Sequence, residues 1–226
     1  MKEYSLHSEI KKVYSLPGDQ FEVKLYNYIV DILRGQLIIE VQTKNFSALK
    51  GKLQTLTEKH QVRLVYPLPE KKWITYLTKE NVFVNQRKSP KKGKLTDLFR
   101  ELIMISHIVG NENFSLEVLL IDEEEVRCND GKGSWRRRGV SIKERRLLRV
   151  NSRILFQNKT DYLKILPDRL NQVFTNKELS KLAKIPVRTA RQITYCLRKS
   201  DTILLAPKKG RELAFKLAPK VKKKIE

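Results

Sequence analysis

The sequence predicts a mixed α/β (α+β) chain, an α-β-β-β-α-β unit followed by two helices and a hairpin, and three observations predict it. Residues 28–44 hold two β-branched apolar runs on either side of Arg34-Gly35-Gln36, the pattern of a β-hairpin. Phe46, Leu49, Leu53 and Leu56 recur at i, i+3, i+7 and i+10, the spacing of one helix face. Thr175 and Glu178 stand three residues apart, as in a capping box, ahead of another helical stretch.

The elements follow in order. Residues 4–14 predict a short helix ending at the turn signal Pro17-Gly18-Asp19. Residues 21–26 predict a strand, and the hairpin comes next. Asn45 then caps a helix over 46–59, and 61–66 alternates into a strand that stops at Pro67-Leu68-Pro69. Residues 73–77 predict another strand, 86–94 an exposed basic loop, 95–109 a strongly apolar helix and 116–121 a buried strand. Three adjacent acids cannot share one strand face, so Glu123-Glu124-Glu125 is expected as a solvated strand end.

These elements fill a first domain, residues 1–125. Residues 126–158 are expected as a basic, Arg/Trp-rich connecting segment. Residues 159–226 form a second domain, with a helix from the capping box through Ala183, a short turn at Lys184-Ile185-Pro186 and a second helix over 187–199. Strands at 202–206 and 213–217 are joined by Pro207-Lys208-Lys209-Gly210-Arg211, and 220–224 is a frayed basic tail.

Charge narrows the partners. Lys and Arg number 47 against 25 Asp and Glu, a net +22, and residues 126–226 alone carry 28 basic and 8 acidic side chains. Such a surface attracts polyphosphate. Binding to a membrane surface would need an amphipathic helix with a large apolar face beside the charge, and the sequence offers none. No apolar run approaches the roughly 18 residues that span a bilayer, and no apolar leader follows Met1. Cys128 and Cys196 give neither a metal spacing nor a disulfide framework, and His7, His60 and His107 are scattered. A zinc site and a Ser/Cys–His nucleophile both lack support. The expected setting is cytoplasmic, without a membrane partner.

The hairpin carries the sharpest chemistry. Asp31 and Glu40 each put a carboxylate where a strand is most buried, which is costly unless the charge is paired or bound to a cation. With Arg34-Gly35 as the turn, Asp31 falls opposite Ile38 and diagonal to Glu40, about 7–8 Å away in backbone terms. Period 2 puts Glu40, Gln42 and Lys44 on one face. A hairpin whose carboxylates merely meet nearby lysines is the plain alternative.

An Asp followed by Glu-x-(polar) on a small sheet resembles the PD-(D/E)XK nuclease superfamily, particularly its Holliday-junction-resolvase-like and restriction-endonuclease-like branches. The resemblance covers roughly residues 4–77. It implies a restriction-endonuclease-like αβββαβ core and Mg²⁺ (or Mn²⁺) held by Asp31 and Glu40, with the Val41 carbonyl as a third ligand. Glu9, in His-Ser-Glu-Ile-Lys-Lys, is a looser match to a helix glutamate that many members add. Gln42 stands where the family has lysine. It can hold a water but supplies no positive charge, so Lys44 is expected to reach back.

Two further groups point to nucleic acid. Trp135, Arg136, Arg137 and Arg138 combine a stacking ring with phosphate-pairing guanidinium groups, unless Trp135 belongs to the core of a basic surface hairpin. The C-terminal helices and hairpin resemble a winged helix-turn-helix domain, a fold also used for protein contacts. By that resemblance Arg188, Thr189, Arg191 and Gln192 face bases, and Lys208, Lys209 and Arg211 face phosphates. The combined expectation is a DNA-binding, metal-dependent endonuclease hydrolysing phosphodiester bonds in double-stranded or branched DNA. Resolvase-like members are often dimers, so a homodimer is among the expected partners. The alternatives are a catalytically inactive nuclease-fold DNA-binding protein and a winged-helix transcriptional or plasmid-maintenance regulator.

Overall fold

A computed structural model describes residues 5–219. The 220–224 tail lies outside the described residues. Helix α1 (Ser5–Tyr14) leads into β1 (Gln20–Leu25), β2 (Tyr28–Arg34), β3 (Leu37–Val41), α2 (Lys50–Leu56) and β4 (Gln61–Leu77). The order α-β-β-β-α-β expected from periodicity is therefore present. Arg34 fixes the first turn: its Nε and Nη2 donate to the two carboxylate oxygens of Asp19, each at 2.8 Å.

The chain continues through β5 (Phe83–Lys88), α3 (Phe99–Leu102), β6 (Phe114–Asn129) and β7 (Val140–Phe156). One mixed seven-stranded sheet runs β1-β2-β3-β4-β6-β7, with β5 paired to β4. The β3–β4 and β4–β6 pairs are parallel and the rest antiparallel. Leu6, Ile10 and Tyr14 of α1 pack on one face against Ile32, Ile39, Val65 and Leu119. The other face buries Ile38, Leu64 and Val118 under Phe46, Leu53, Phe99 and Leu102.

Several expectations are corrected. Strand β4 does not stop at Pro67-Leu68-Pro69; it runs through both prolines to Leu77 and absorbs the separate strand expected at 73–77. The reason lies in which neighbour each residue meets. The Val65 carbonyl accepts from Gln42 N, so odd-numbered residues of β4 point their backbone groups toward β3. Pairing with β3 ends at Val65, and pairing with β5 begins only toward Trp73. Pro67 and Pro69 thus lie on an open edge where no N–H is required.

Residues 95–109 do not form one helix. They break into 3₁₀ turns at Leu95–Leu98 and Ile103–Ile105 around the short α3, yet still bury Leu98, Phe99, Leu102, Ile105, Ile108 and Val109. The 46–59 helix starts as a 3₁₀ turn, and its α-helical part ends at Leu56. Asn45 precedes it in a left-handed conformation without a side-chain cap. Part of the loop at 86–94 is β5, whose side chains are all exposed.

The acid run is no solvated strand end. Glu123 and Glu125 are buried within β6, and Lys72 lies 2.6 Å from Glu123 Oε1 and 3.3 Å from Glu125 Oε2. Arg127 joins Glu125 at 2.6 Å. Alternation puts Glu123 and Glu125 on one face, and basic side chains on that face compensate their burial. Nor is 126–158 a connector: β7 pairs with β6 from Val140–Asn129 to Phe156–Leu116, so the segment belongs to the sheet.

The C-terminal unit contains β8 (Val173–Thr175), α4 (Asn176–Ala183), α5 (Val187–Lys199), β9 (Ile203–Lys209) and β10 (Glu212–Leu217), with its strands ordered β8-β10-β9. The capping box forms as expected: Glu178 N donates to Thr175 Oγ1 at 3.3 Å, and Thr175 N donates to Glu178 Oε2 at 2.7 Å. Ala190, Ile193, Cys196 and Leu197 of α5 join the same apolar cluster as Phe99 and Leu102. One core therefore spans both units.

Candidate functional site

The hairpin turn is Gly35-Gln36, one residue later than expected. Gly35 takes φ +56°, as the first position of a II′ turn requires and as L residues disfavour. The register becomes Arg34–Leu37, Leu33–Ile38 and Ile32–Ile39. Asp31 therefore stands directly across from Glu40, not diagonal to it.

Beyond Ile32–Ile39 the β2–β3 ladder stops, while β2 stays paired to β1 as far as Tyr28 and β3 stays paired to β4 as far as Val41. The strands fork, and the two carboxylates fill the fork. Asp31 Oδ2 accepts from Val41 N at 2.8 Å, and Glu40 Oε1 accepts from Asp31 N at 3.3 Å. The alternation that turns Gln42 N to β4 also turns the Val41 backbone toward β2, so its carbonyl lies on the same edge.

Each carboxylate has basic neighbours from a different layer. His7 Nε2 is 3.3 Å from Asp31 Oδ2, and Lys11 Nζ, one helical turn on, is 3.9 Å from Oδ1. On the other side Lys52 of α2 places Nζ 2.6 Å from Glu40 Oε2 and 2.5 Å from the Ile29 carbonyl. Burial raises the Asp31 carboxyl, but hydrogen bonds from His7 and Val41 outweigh it and hold the group below its ordinary value. Glu40 is 2 % exposed, and its carboxyl is pushed up to about 7, by burial first and by Asp31 second, against the pull of Lys52. Burial and the facing Asp31 both disfavour the charged form of Glu40, and a divalent cation at this point would favour it. By that chemistry the donor set fits such an ion, although among the described residues no three His, Cys, Asp or Glu side chains group around one point.

Other expected members of the site lie elsewhere. Glu9 faces β7, where its Oε2 accepts from Leu147 N at 2.5 Å, because α1 turns His7 and Lys11 toward Asp31 instead. Gln42 donates from Nε2 to the carbonyls of Lys44 and Asn45 at 2.5 and 3.2 Å, so it closes the loop after β3 rather than facing the fork. Lys44 is exposed past the end of β3 and pairs with neither carboxylate. The positive charge beside Glu40 comes from Lys52. The i, i+4 spacing of His7 and Lys11 was a readable signal; Lys52 carried none, since it looked like part of a solvated face.

The basic groups are distributed over distinct surfaces. Residues 130–139 form the turn between β6 and β7, closed by Gly133 N donating to the Gly139 carbonyl at 2.8 Å. A Cβ at Gly133 would lie 1.9 Å from the Val140 carbonyl oxygen, so only glycine fits there. Trp135 is 82 % exposed at this tip, outside any core, with the Arg136 guanidinium 5.5 Å from its ring centroid. Arg137 Nε donates to the Val140 carbonyl at 3.1 Å, and Arg138 occupies the left-handed region, φ +50°.

On α5, Arg188 and Arg191 are exposed and Gln192 is half-buried, whereas Thr189 is buried and cannot face a base. On the β9–β10 turn Lys208 and Arg211 are exposed. Lys209 is held by Glu178 at 3.0 Å and by the Val173 carbonyl at 2.8 Å, and so is not a free phosphate contact. No helix among the described residues is long and apolar enough to cross a membrane.

A family model described as a domain of unknown function, DUF8091, matches residues 4–157, from the start of α1 to the end of β7. The chain belongs to the DUF8091 family. The matched span contains the carboxylate fork and the Trp135 turn and stops before the C-terminal unit. An uncharacterized protein of Treponema pallidum (strain Nichols) is 32% identical to this DUF8091 chain over 181 residues, 80% of this chain and 72% of that protein. No solved structure matches it.

Proposed function

We propose that this protein is a DNA-binding, Mg²⁺- or Mn²⁺-dependent endonuclease whose active site is the β2–β3 fork, on a core of the PD-(D/E)XK type. One observation carries the reading: Asp31 and Glu40 face each other where two strands separate, with the Val41 backbone on the same edge. Asp31, Glu40 and the Val41 carbonyl would hold the ion. Mg²⁺ takes one or two carboxylates and completes its shell with water and substrate phosphate, so this donor set suffices. When bound, the ion lowers the pKa of a coordinated water and offsets charge on the scissile phosphate.

The chain's own residues do the rest. His7 and the Val41 amide orient Asp31. Lys52 holds Glu40 and brings the ammonium that Gln42 lacks. The basic C-terminal half holds the DNA, with the helix-turn-helix and hairpin used in the manner of a winged helix. Leu77, paired with Cys128 near the Trp135 turn, is twelve residues along β4 from Val65 beside the fork. At about 3.3 Å per residue the two lie roughly 40 Å apart, so Trp135 grips DNA far from the bond that is cut. Calorimetric titration with Mn²⁺ tests the reading: heat in the wild type and none in Asp31→Asn supports it, and no heat in the wild type overturns it.

A second reading is a nuclease-type fold that binds DNA without cutting it. The turning of Gln42 toward the Lys44 and Asn45 carbonyls favours it. In that case Asp31 and Glu40 serve as partners for Lys11 and Lys52.

A further inference from the structure

A second concave site lies away from the fork, between α5 and the β9–β10 hairpin. Val187, Arg191, Thr194, Tyr195 and Arg198 form one stripe of α5 along a cavity of about 440 Å³, within the size range of small-ligand clefts. Arg211 and Lys177 close it from the hairpin and from α4. Arg188 and Gln192 lie outside it.

The cleft is basic and its charge is unspent. Glu212, the acid in its lining, is ion-paired to Lys177. Arg191, Arg198 and Arg211 have no carboxylate at ion-pair distance among the described residues, so three guanidinium groups share one concavity without a counter-charge. A phosphate removes that repulsion and matches guanidinium geometry. The rest of the lining suits a ring. Phe215 and Val187 are apolar, Tyr195 adds an aromatic ring with Lys199 Nζ 6.0 Å from its centroid, and Thr194 is held in place by Asn176 at 2.8 Å. A bare phosphate would leave that half unused.

We propose that this cleft binds one unpaired nucleotide, its phosphate on Arg191, Arg198 and Arg211 and its base against Tyr195. The inference rests on the nucleic-acid part of the proposed function and deepens it: the preferred DNA carries an unpaired nucleotide, as an overhang, flap or junction does. The shared chemistry also admits a free nucleotide.

The test is fluorescence anisotropy of the full chain in EDTA, comparing a blunt duplex with the same duplex bearing a short 5′-phosphorylated overhang. The overhang is expected to bind about tenfold tighter, as one stacked base provides. Arg198→Ala and Tyr195→Ala lose that preference. Tyr195→Phe keeps it, as does Lys181→Ala, a charge change on α4 outside the cleft. Equal affinity for the two DNAs overturns the proposal, as does a preference that survives both alanine variants. Competition by thymidine 5′-monophosphate assigns the cleft to free nucleotides as well, and its absence assigns it to strand-borne ones. If neither DNA binds, the nucleic-acid reading itself fails. Direct titration with thymidine 5′-monophosphate then decides the cleft: binding lost in Arg198→Ala supports it, and no binding overturns it.

Discussion

Asp31 and Glu40 are coupled across the β2–β3 fork: the Asp31 amide donates to Glu40 Oε1 at 3.3 Å, while the Asp31 carboxylate accepts from the amide of the residue after Glu40 at 2.8 Å. Side chains here replace the ladder hydrogen bonds that the diverging strands no longer make. Both carboxylates are therefore structural, whatever chemistry the proposed function adds. Asp31→Asn and Glu40→Gln, which keep the shape, are expected to abolish metal binding and cleavage while changing DNA affinity by no more than a few-fold in EDTA.

The pH dependence of stability follows from Glu40. Its folded value, about 7, lies above the ordinary 4.5, so the folded chain holds this proton more tightly than the unfolded chain does. The resulting contribution is full below 4.5 and is lost as pH rises through about 7. Glu40→Gln is expected to gain stability relative to the wild type at the upper end of that window, and Lys52→Ala to lose most there. Urea midpoints at both ends check this.

Trp135 separates packing from binding. A side chain 82 % exposed contributes little to the core, so Trp135→Ala is expected to change stability by no more than about 0.5 kcal/mol. Its loss is expected to weaken single-stranded DNA binding by about 1–3 kcal/mol. Thermal melts and anisotropy give the two values.

The basic surfaces set the salt response. Each phosphate contact adds about −0.9 to the slope of log K against log salt, so Arg136→Ala and Arg188→Ala are each expected to reduce the slope by about one contact. A flat salt response in the wild type would contradict phosphate binding. Deleting the C-terminal unit is a poor test, because α5 completes the core under Phe99 and Leu102.

That shared core has its own consequence. Leu197 is fully buried in the cluster that joins both units, so Leu197→Ala is expected to cost about 2–5 kcal/mol. Denaturation should remain one transition, with fluorescence and circular dichroism coinciding. Two separated transitions would mean that the units fold independently.

Much of this fold was legible in local pattern. The hairpin, the α-β-β-β-α-β order and the Thr175–Glu178 capping box rest on neighbouring residues, and periodicity exposes them. What sequence missed depends on neighbours in space. Pro67 and Pro69 look like a strand end, and only the gap between β3 and β5 makes them tolerable. Glu123 and Glu125 look solvated until Lys72 of β4 and Arg145 of β7 are seen beside them on the neighbouring strands. At the candidate site, Asp31 and Glu40 were legible as charges in apolar runs. Lys52 was not, since only the packing of α2 brings it 2.6 Å from Glu40.

The most direct test of the fork as a metal-dependent nuclease site is cleavage itself, with linear duplex, branched and single-stranded DNA incubated with Mg²⁺, with Mn²⁺ and with EDTA. Product is expected from at least one DNA with a divalent ion, none in EDTA, and none from Asp31→Asn under any condition. No cleavage by the wild type with either ion, or equal cleavage by Asp31→Asn, would contradict it.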